Sequence, residues 1–344
     1  MQISEFDYQL PSELISQEPL AERDASRMLI LKRSGEGWTD SHFAALPQYI
    51  NENDVLVINN TRVFPARLVG ERDPSGGRAE VLLVRQFETF FWEALVRPGH
   101  RLKKGAVIRF ADARLRAEIV DQPGNGLRLL RFHCNESLES LLDEVGRTPL
   151  PPYIRRSAGA SPEDRERYQT VFATRRGAIA APTAGLHFTS RILEKLRRKA
   201  QVVEITLHVG YGTFEPVRVQ NVAEHRVSSE LFEITAEAAD AINGARSLGG
   251  RVIAIGTTTT RALESAATTA GIVQPGTRFA EVTITPGYNF RVIDALLTNF
   301  HLPRSSLLLL VCGFAGREFI LSAYRHAVKA RYRFYSYGDC MLVI

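Results

Sequence analysis

Four of the eight histidines lie in junctions rich in glycine, threonine or proline. His187 ends "AAPTAGLHFT", His208 opens "HVGYG", His225 stands in "EHRVSSE" and His301 in "TNFHLPRSS". An imidazole changes charge near neutral pH, so a histidine in such a place is a candidate to move a proton. One histidine alone is more often a structural side chain; the shared setting of four argues for catalysis. His225 and Glu230, five residues apart, add a weaker acid–base pair. No pair fits H-E-x-x-H and no C-x-x-C exists, so the sequence indicates no metal site. There is no G-x-S-x-G and no cysteine nucleophile in a supporting context, which disfavours a covalent hydrolase.

Small residues surround these histidines. Thr183 and Gly185 precede "RILEKLRRK", a helix that Thr189 or Ser190 would cap. A loop of small residues lets a ligand approach the backbone, and a helix start favours an anion. "RVIAIGTTTTRALE" repeats the plan. A buried strand ends at Gly256, Thr257 and Thr258 offer hydroxyls, and a helix runs from about Arg261. Ligands in open α/β sheets bind at such strand ends. Gly210 and Gly212 flank Tyr211 after a further strand. For the first stretch a tight crossover loop packed under a neighbour is an equal alternative, and for the second the plainer reading is N-capping by one threonine with the rest filling space. Thr183, Gly185, Gly210, Gly212, Gly256, Thr257, Thr258, Arg261 and His301 are the cofactor-binding candidates.

The elements that must hold these residues fall into two kinds. "MLILK" and "VLVIN" read as buried strands in the first sixty residues. From Arg62 to Thr148 short strand-like runs alternate with turn signals such as Pro74-Ser75-Gly76-Gly77 and Pro98-Gly99. In 114–119, Leu115, Ala117 and Ile119 alternate with charged residues, the mark of a half-buried antiparallel strand. Five or six such strands predict a small β-barrel, followed by a helix capped by Asn135. From Tyr168 strands and helices alternate: "VVEITLHV", a helix capped by Thr235, "RVIAIG", "EVTIT", and two helices in "SSLLLLVCGFAG" and "REFILSAYRHAVK". The expectation is a layered α/β domain from 1–61 and 149–344, with an all-β barrel of 62–148 inserted.

The 344 residues are 44% hydrophobic and 24% charged, a globular balance. A net charge of +5 permits an anionic partner without requiring one. Three scattered cysteines suit a reducing compartment. The start lacks the plan of a signal peptide and no apolar run is long enough to span a bilayer, so the expected location is cytoplasmic.

Ten ordered motifs carry a resemblance. They include "FDYQLPSELISQEP", "VINNTRVFPARL", "PLPPYIRR", "AAPTAGLHFT", "TLHVGYGTFEPV", "AIGTTTTRALES", "TNFHLPRSSLLLLVCGFAG" and "YRFYSYGDCMLVI". In this order they resemble the S-adenosylmethionine:tRNA ribosyltransferase-isomerase family of queuosine biosynthesis. The resemblance runs from Phe6 to the last residue. It implies transfer and isomerisation of the ribosyl group of S-adenosylmethionine onto 7-aminomethyl-7-deazaguanine at the tRNA wobble position. The products are epoxyqueuosine-tRNA, adenine and methionine. S-adenosylmethionine is then a co-substrate, no metal is needed, and the partner is tRNA through its anticodon stem-loop. The catalytic candidates become His187, His208, His225, Glu230 and Asp339, with His187 the first choice for proton transfer. For the tRNA, Arg155, Arg156, Arg175 and Arg176 are candidates for phosphate, and Tyr153, Phe188 and Tyr211 for stacking the base. One departure matters: the family's second histidine in His-x-Met-His-x-Glu is Ser228 here. A non-catalytic tRNA-binding member and another type of S-adenosylmethionine enzyme are the alternatives.

Overall fold

The computed structural model describes residues 1–33, 37–124, 126–157, 159–214 and 217–344; Glu215 and Pro216 of the "LHVGYGTFEPV" motif lie outside them. The chain divides into two compact units. One comprises Met1–Arg62, Pro152–Arg155 and Gln169–Ile344; the other comprises Val63–Pro151 and Arg156–Tyr168.

In chain order, β1 (Arg27–Leu31), β2 (Trp38–His42) and β3 (Val55–Asn59) lead to the short β4 (Thr61–Val63). Next come β5 (Arg67–Asp73), β6 (Arg78–Glu88), β7 (Phe91–Arg97), β8 (Val107–Phe110), β9 (Leu115–Gly124) and β10 (Leu127–His133). Helices α1 (Leu138–Val145) and α2 (Pro162–Arg167) follow. The chain then runs through β11 (Arg175–Ala178), α3 (Ser190–Arg197), β12 (Gln201–Leu207), β13 (Glu230–Ile234), α4 (Ala236–Ser247) and β14 (Val252–Ile255). Last are α5 (Thr257–Ala266), β15 (Gly276–Ala280), β16 (Ala295–Asn299), α6 (Ser306–Ala315), α7 (Arg317–Lys329) and β17 (Cys340–Val343).

The inserted unit is built on a closed barrel of β10-β7-β6-β5-β8-β9. Its strands alternate as the sequence predicts: Leu115, Ala117 and Ile119 are fully buried while Arg116 faces out. Closure removes exposed strand edges. The barrel's helix α1 is capped by Ser137 rather than Asn135; the Ser137 side chain accepts from the Ser140 N–H.

The larger unit holds a nine-stranded mixed sheet in the order β15-β13-β12-β3-β14-β16-β17-β1-β2. Every residue of β3, β14, β16 and β17 is buried, which explains the apolar runs Val55–Ile58, Val252–Ile255, Ala295–Leu297 and Cys340–Val343. Met28, Leu56, Ile58, Phe188, Ile192, Leu196, Ile253 and Leu297 belong to one core cluster with Phe43 and Leu342. "EVTIT" is not a strand; 281–285 is irregular, and the strand beside it is β15. The Val282 carbonyl accepts from Arg261 Nε and the Thr283 hydroxyl from the Val227 N–H, so this segment bonds to side groups instead of a ladder. The threonine run is the first turn of α5 rather than a loop before it. β16 and β17 were not anticipated from the sequence, and neither was β2, an edge strand whose polar residues carry no apolar run.

The strand directions matter for function. β12, β3, β14 and β16 are mutually parallel, while β13, β17 and β1 run the other way. The C-terminal ends of the first four and the N-terminal ends of the last three therefore share one edge of the sheet.

Candidate active site along one sheet edge

That edge collects residues from seven strands. It carries Ser26 before β1, Asn59 at the end of β3, His208 just past β12, Glu230 at the start of β13, Gly256 past β14, Asn299 at the end of β16 and Asp339 before β17. Thr183–His187 forms a single 3₁₀ turn over the same edge; Ala184 lies against Gly256.

Asn59 is the organiser at the centre. Its Oδ1 accepts from the Leu207 N–H at 3.0 Å and the Thr61 N–H at 3.1 Å, and its Nδ2 donates to the Leu207 carbonyl at 2.9 Å. One amide thus imitates a backbone partner for β12 where the ladder to β3 ends, and fixes the start of the loop that carries His208. Asn59 and Thr61 were missed as site residues, although "NNT" directly after a buried parallel strand marks the place where α/β proteins bind ligands.

His208 is half-buried, its Nδ1 2.8 Å from the Thr61 hydroxyl. Among the described residues nothing bonds its Nε2. The ring lies across Gly177, where an added Cβ would fall 2.5 Å from its Cε1. Burial, then the nearby Arg175 guanidinium, pull its pKa below the usual histidine value, against a weaker pull upward from Glu233. The imidazole is neutral at pH 7 with one nitrogen open.

His187 has the opposite character. It is wholly enclosed, and both nitrogens are engaged: Nδ1 with Ser26 Oγ at 2.9 Å and Nε2 with Asn299 Nδ2 at 3.1 Å. Asn299 Nδ2 also points at the carbonyls of Tyr335 and Asp339, which fixes its amide orientation. Nε2 accepts, so the ring proton is on Nδ1. Burial, with Arg333 and Arg23 nearby, depresses its pKa to about 3. His187 has no nitrogen left for a substrate, and the sequence expectation of a proton-transfer role gives way to a structural one. Asp339 is similarly engaged. Its carboxylate accepts from the N–H groups of Arg27 at 3.0 Å and Arg333 at 2.8 Å, and burial raises its pKa against those bonds.

Glu230 is buried and both oxygens are used. Oε1 accepts from the Gly210 N–H at 2.8 Å, and the other oxygen pairs with Arg261. Arg261 in turn donates to the carbonyls of Ser228 at 3.0 Å, Ala280 at 2.8 Å and Val282 at 3.2 Å. These two residues tie α5 to the Gly210–Gly212 turn, so neither is free to act as acid, base or cofactor ligand. The Ser228 side chain is exposed while its carbonyl is held by Arg261. That position supplies a carbonyl, which any residue can offer, so serine in place of histidine leaves the clamp whole. His225 lies apart from this clamp, Nε2 2.7 Å from the Ser306 hydroxyl at the start of α6; burial and Arg226 lower its pKa. His301 is buried with Nε2 3.0 Å from Thr298 Oγ1, and burial drops its pKa to about 3.

The start of α5 has no side-chain cap: Gly256, at φ 96°, is the N-cap. Thr259 and Thr260 turn their hydroxyls back to the carbonyls of Ile255 and Gly256. Thr258 is left with a 3.5 Å approach from Asn59 Nδ2. Free N–H groups here suit a carboxylate or hydroxyl of a small ligand. Thr183, Gly210 and Gly212 are partly exposed on the same edge. Gly185 is not; a Cβ there would collide with Thr170 and Phe172, so its smallness serves packing.

Among the RNA candidates, Phe188 is completely buried between Phe43 and Phe172 and offers no face for a base. Tyr153 packs edge-on against Tyr335, with centroids 3.9 Å apart, and Tyr211 is half-buried. Arg156 clasps Asp164 with two nitrogens inside the barrel unit. Arg175 pairs with Glu233 at the surface, Arg155 is exposed and Arg176 half-buried. Among the described residues no cluster of three acidic, histidine or cysteine side chains is arranged to hold a metal ion, and no helix is long and apolar enough to cross a membrane.

Known proteins resemble this chain over its full length. A family model described as queuosine biosynthesis protein matches residues 3–343. The S-adenosylmethionine:tRNA ribosyltransferase-isomerases of Desulforamulus reducens and Moorella thermoacetica are each 49% identical over the whole of both chains. A solved structure of S-adenosylmethionine tRNA ribosyltransferase from Thermotoga maritima shares 35% identity, with TM-score 0.55 over 99% of this chain and 100% of that one. With motifs, topology and full-length relatives in agreement, the chain belongs to the queuosine biosynthesis protein family.

Proposed function

We propose that this chain is an S-adenosylmethionine:tRNA ribosyltransferase-isomerase. It transfers and isomerises the ribosyl group of S-adenosylmethionine onto 7-aminomethyl-7-deazaguanine at the tRNA wobble position, releasing adenine and methionine. The reaction needs a base for the ribose C5′ proton, acidified by the sulfonium, an acid near the departing adenine, and a path for the attacking amine. The observation that carries the reading is the sheet edge itself. It sets a neutral histidine with an open Nε2 (His208) beside a glycine turn and an uncapped helix start. We assign the base to His208. The α5 N-terminus with Thr257 and Thr258, and the Thr183, Gly210 and Gly212 backbone, would hold the S-adenosylmethionine. Exposed Arg155 and Arg175, with Arg176 and Tyr211, are proposed to meet the anticodon stem-loop. A tRNA substrate also makes the cytoplasm the expected compartment.

The test is a turnover assay with S-adenosylmethionine and tRNA carrying the 7-deazaguanine precursor. Adenine release that requires the modified tRNA is expected. Bound tRNA without adenine release would overturn the assignment.

A further inference from the structure

Two histidines on this edge sit in the same kind of hydrogen-bond relay, yet only one ends open. The His187 Nδ1 proton goes to Ser26 Oγ, whose own proton goes to the Arg23 carbonyl at 3.2 Å. At His208 the partner is Thr61 Oγ1, which donates to the Arg175 carbonyl at 3.4 Å. A carbonyl only accepts. A hydroxyl that donates its single proton to a carbonyl must receive from the ring. For His187 the far nitrogen is then taken up by Asn299. For His208, among the described residues, it is not.

We propose that Thr61 is a positioning residue which fixes His208 in the Nδ1–H tautomer and so leaves the Nε2 lone pair as the base. This rests on the assignment of the base above. In the step it serves, the Nε2 lone pair takes the C5′ proton of S-adenosylmethionine, the C–H electron pair stays on carbon next to the sulfonium, and His208 becomes an imidazolium. No oxidant or further reactant is needed. The relay contributes twice. It selects the tautomer that unconstrained imidazole populates less, and Thr61 Oγ1 continues to accept from Nδ1–H when the ring becomes charged. Asn59 supports both partners, since it holds the Thr61 N–H and both backbone groups of Leu207. Gly177 holds the ring from below; any side chain there would displace it.

The test begins with the free protein. Nitrogen-15 NMR of histidine-labelled protein, with the His208 signals assigned by His208→Gln, should show protonated Nδ1 and bare Nε2 near pH 7.5. Thr61→Val keeps the shape but removes the relay. It should shift His208 toward the Nε2–H form and lower kcat by about 10- to 100-fold, as loss of an outer hydrogen-bond partner does elsewhere. KM for both substrates should hold, and the isotope effect from C5′-deuterated S-adenosylmethionine should grow. Thr61→Ser, which keeps the hydroxyl, should restore tautomer and rate. A wild-type His208 protonated on Nε2, or a Thr61→Val protein with unchanged tautomer and isotope effect, would overturn the proposal. Either result would leave the overall reaction, read by adenine release from the wild type, standing.

Discussion

His187 and His208 show how little a residue type says without its bonds. Both lie on the functional edge and both have lowered pKa values, chiefly from burial. One is closed on both nitrogens and the other is open on one. His208→Gln is therefore expected to abolish adenine release while tRNA binding, measured by filter retention, persists. His187→Ala should mainly reduce thermal stability, because it strands Ser26 and Asn299 in a dry site. Turnover lost in folded His187→Ala but kept in His208→Gln would reverse the two roles. The pH profile carries a sign. A base works deprotonated, and the lowered pKa of His208 keeps it deprotonated below the usual histidine range. The acid limb of kcat/KM is expected below pH 6.5, the ordinary histidine value. The setting of these histidines was legible in the sequence, since small residues at strand ends are a local signal. Which of their nitrogens are engaged was not, because Asn299 is 112 residues from His187 and Thr61 is 147 from His208.

At the level of elements, the edge depends on a buried ion pair that joins a helix to a turn. Glu230 and Arg261 have side chains only 5% and 6% exposed, so each relies on the other for its charge. Arg261→Ala leaves a carboxylate buried without its cation, a change that costs about 3–5 kcal/mol. Urea unfolding should show that loss, and S-adenosylmethionine binding should weaken as the Gly210 turn loosens. Unchanged stability would mean the clamp is not structural. The pair could not be read from sequence: His225 and Glu230 looked like partners because they are five residues apart, yet each is held by a group distant in the chain. Helix caps were more legible. Thr189 and Thr235 cap α3 and α4 through their own hydroxyls, a purely local interaction. The threonine run misled because four β-branched residues read as loop, yet two of them bond back to the preceding turn and are content inside a helix.

For the whole molecule, alternation in the barrel strands and unbroken apolar runs in the sheet separated the two kinds of architecture at the level of pattern. The strand order could not be foreseen, because β17 and β1 pair across almost the full chain. A net charge of +5 is modest for a protein that acts on tRNA. Its contacts with phosphate are expected to be few and local, centred on exposed residues such as Arg155 and Arg175. The logarithm of tRNA affinity should fall linearly with the logarithm of salt concentration, and Arg155→Ala with Arg175→Ala should make that slope shallower by about one per contact. A slope unchanged in both variants would place the RNA on another surface.

Met28 of β1 is paired with Cys340 of β17, and β17 fills the gap between β16 and β1. On the ribosome this has an awkward outcome. β1 and β2 are made early but have no seat in the sheet until the residues of β17 emerge, more than three hundred positions later. During nearly all of translation the β1–β2 pair must wait with the β17-facing edge of β1 unpaired, and its Met28–Leu31 stretch is apolar on both faces. The biogenesis of this enzyme is thus expected to depend on holding factors that shield Met28–Leu31 during synthesis.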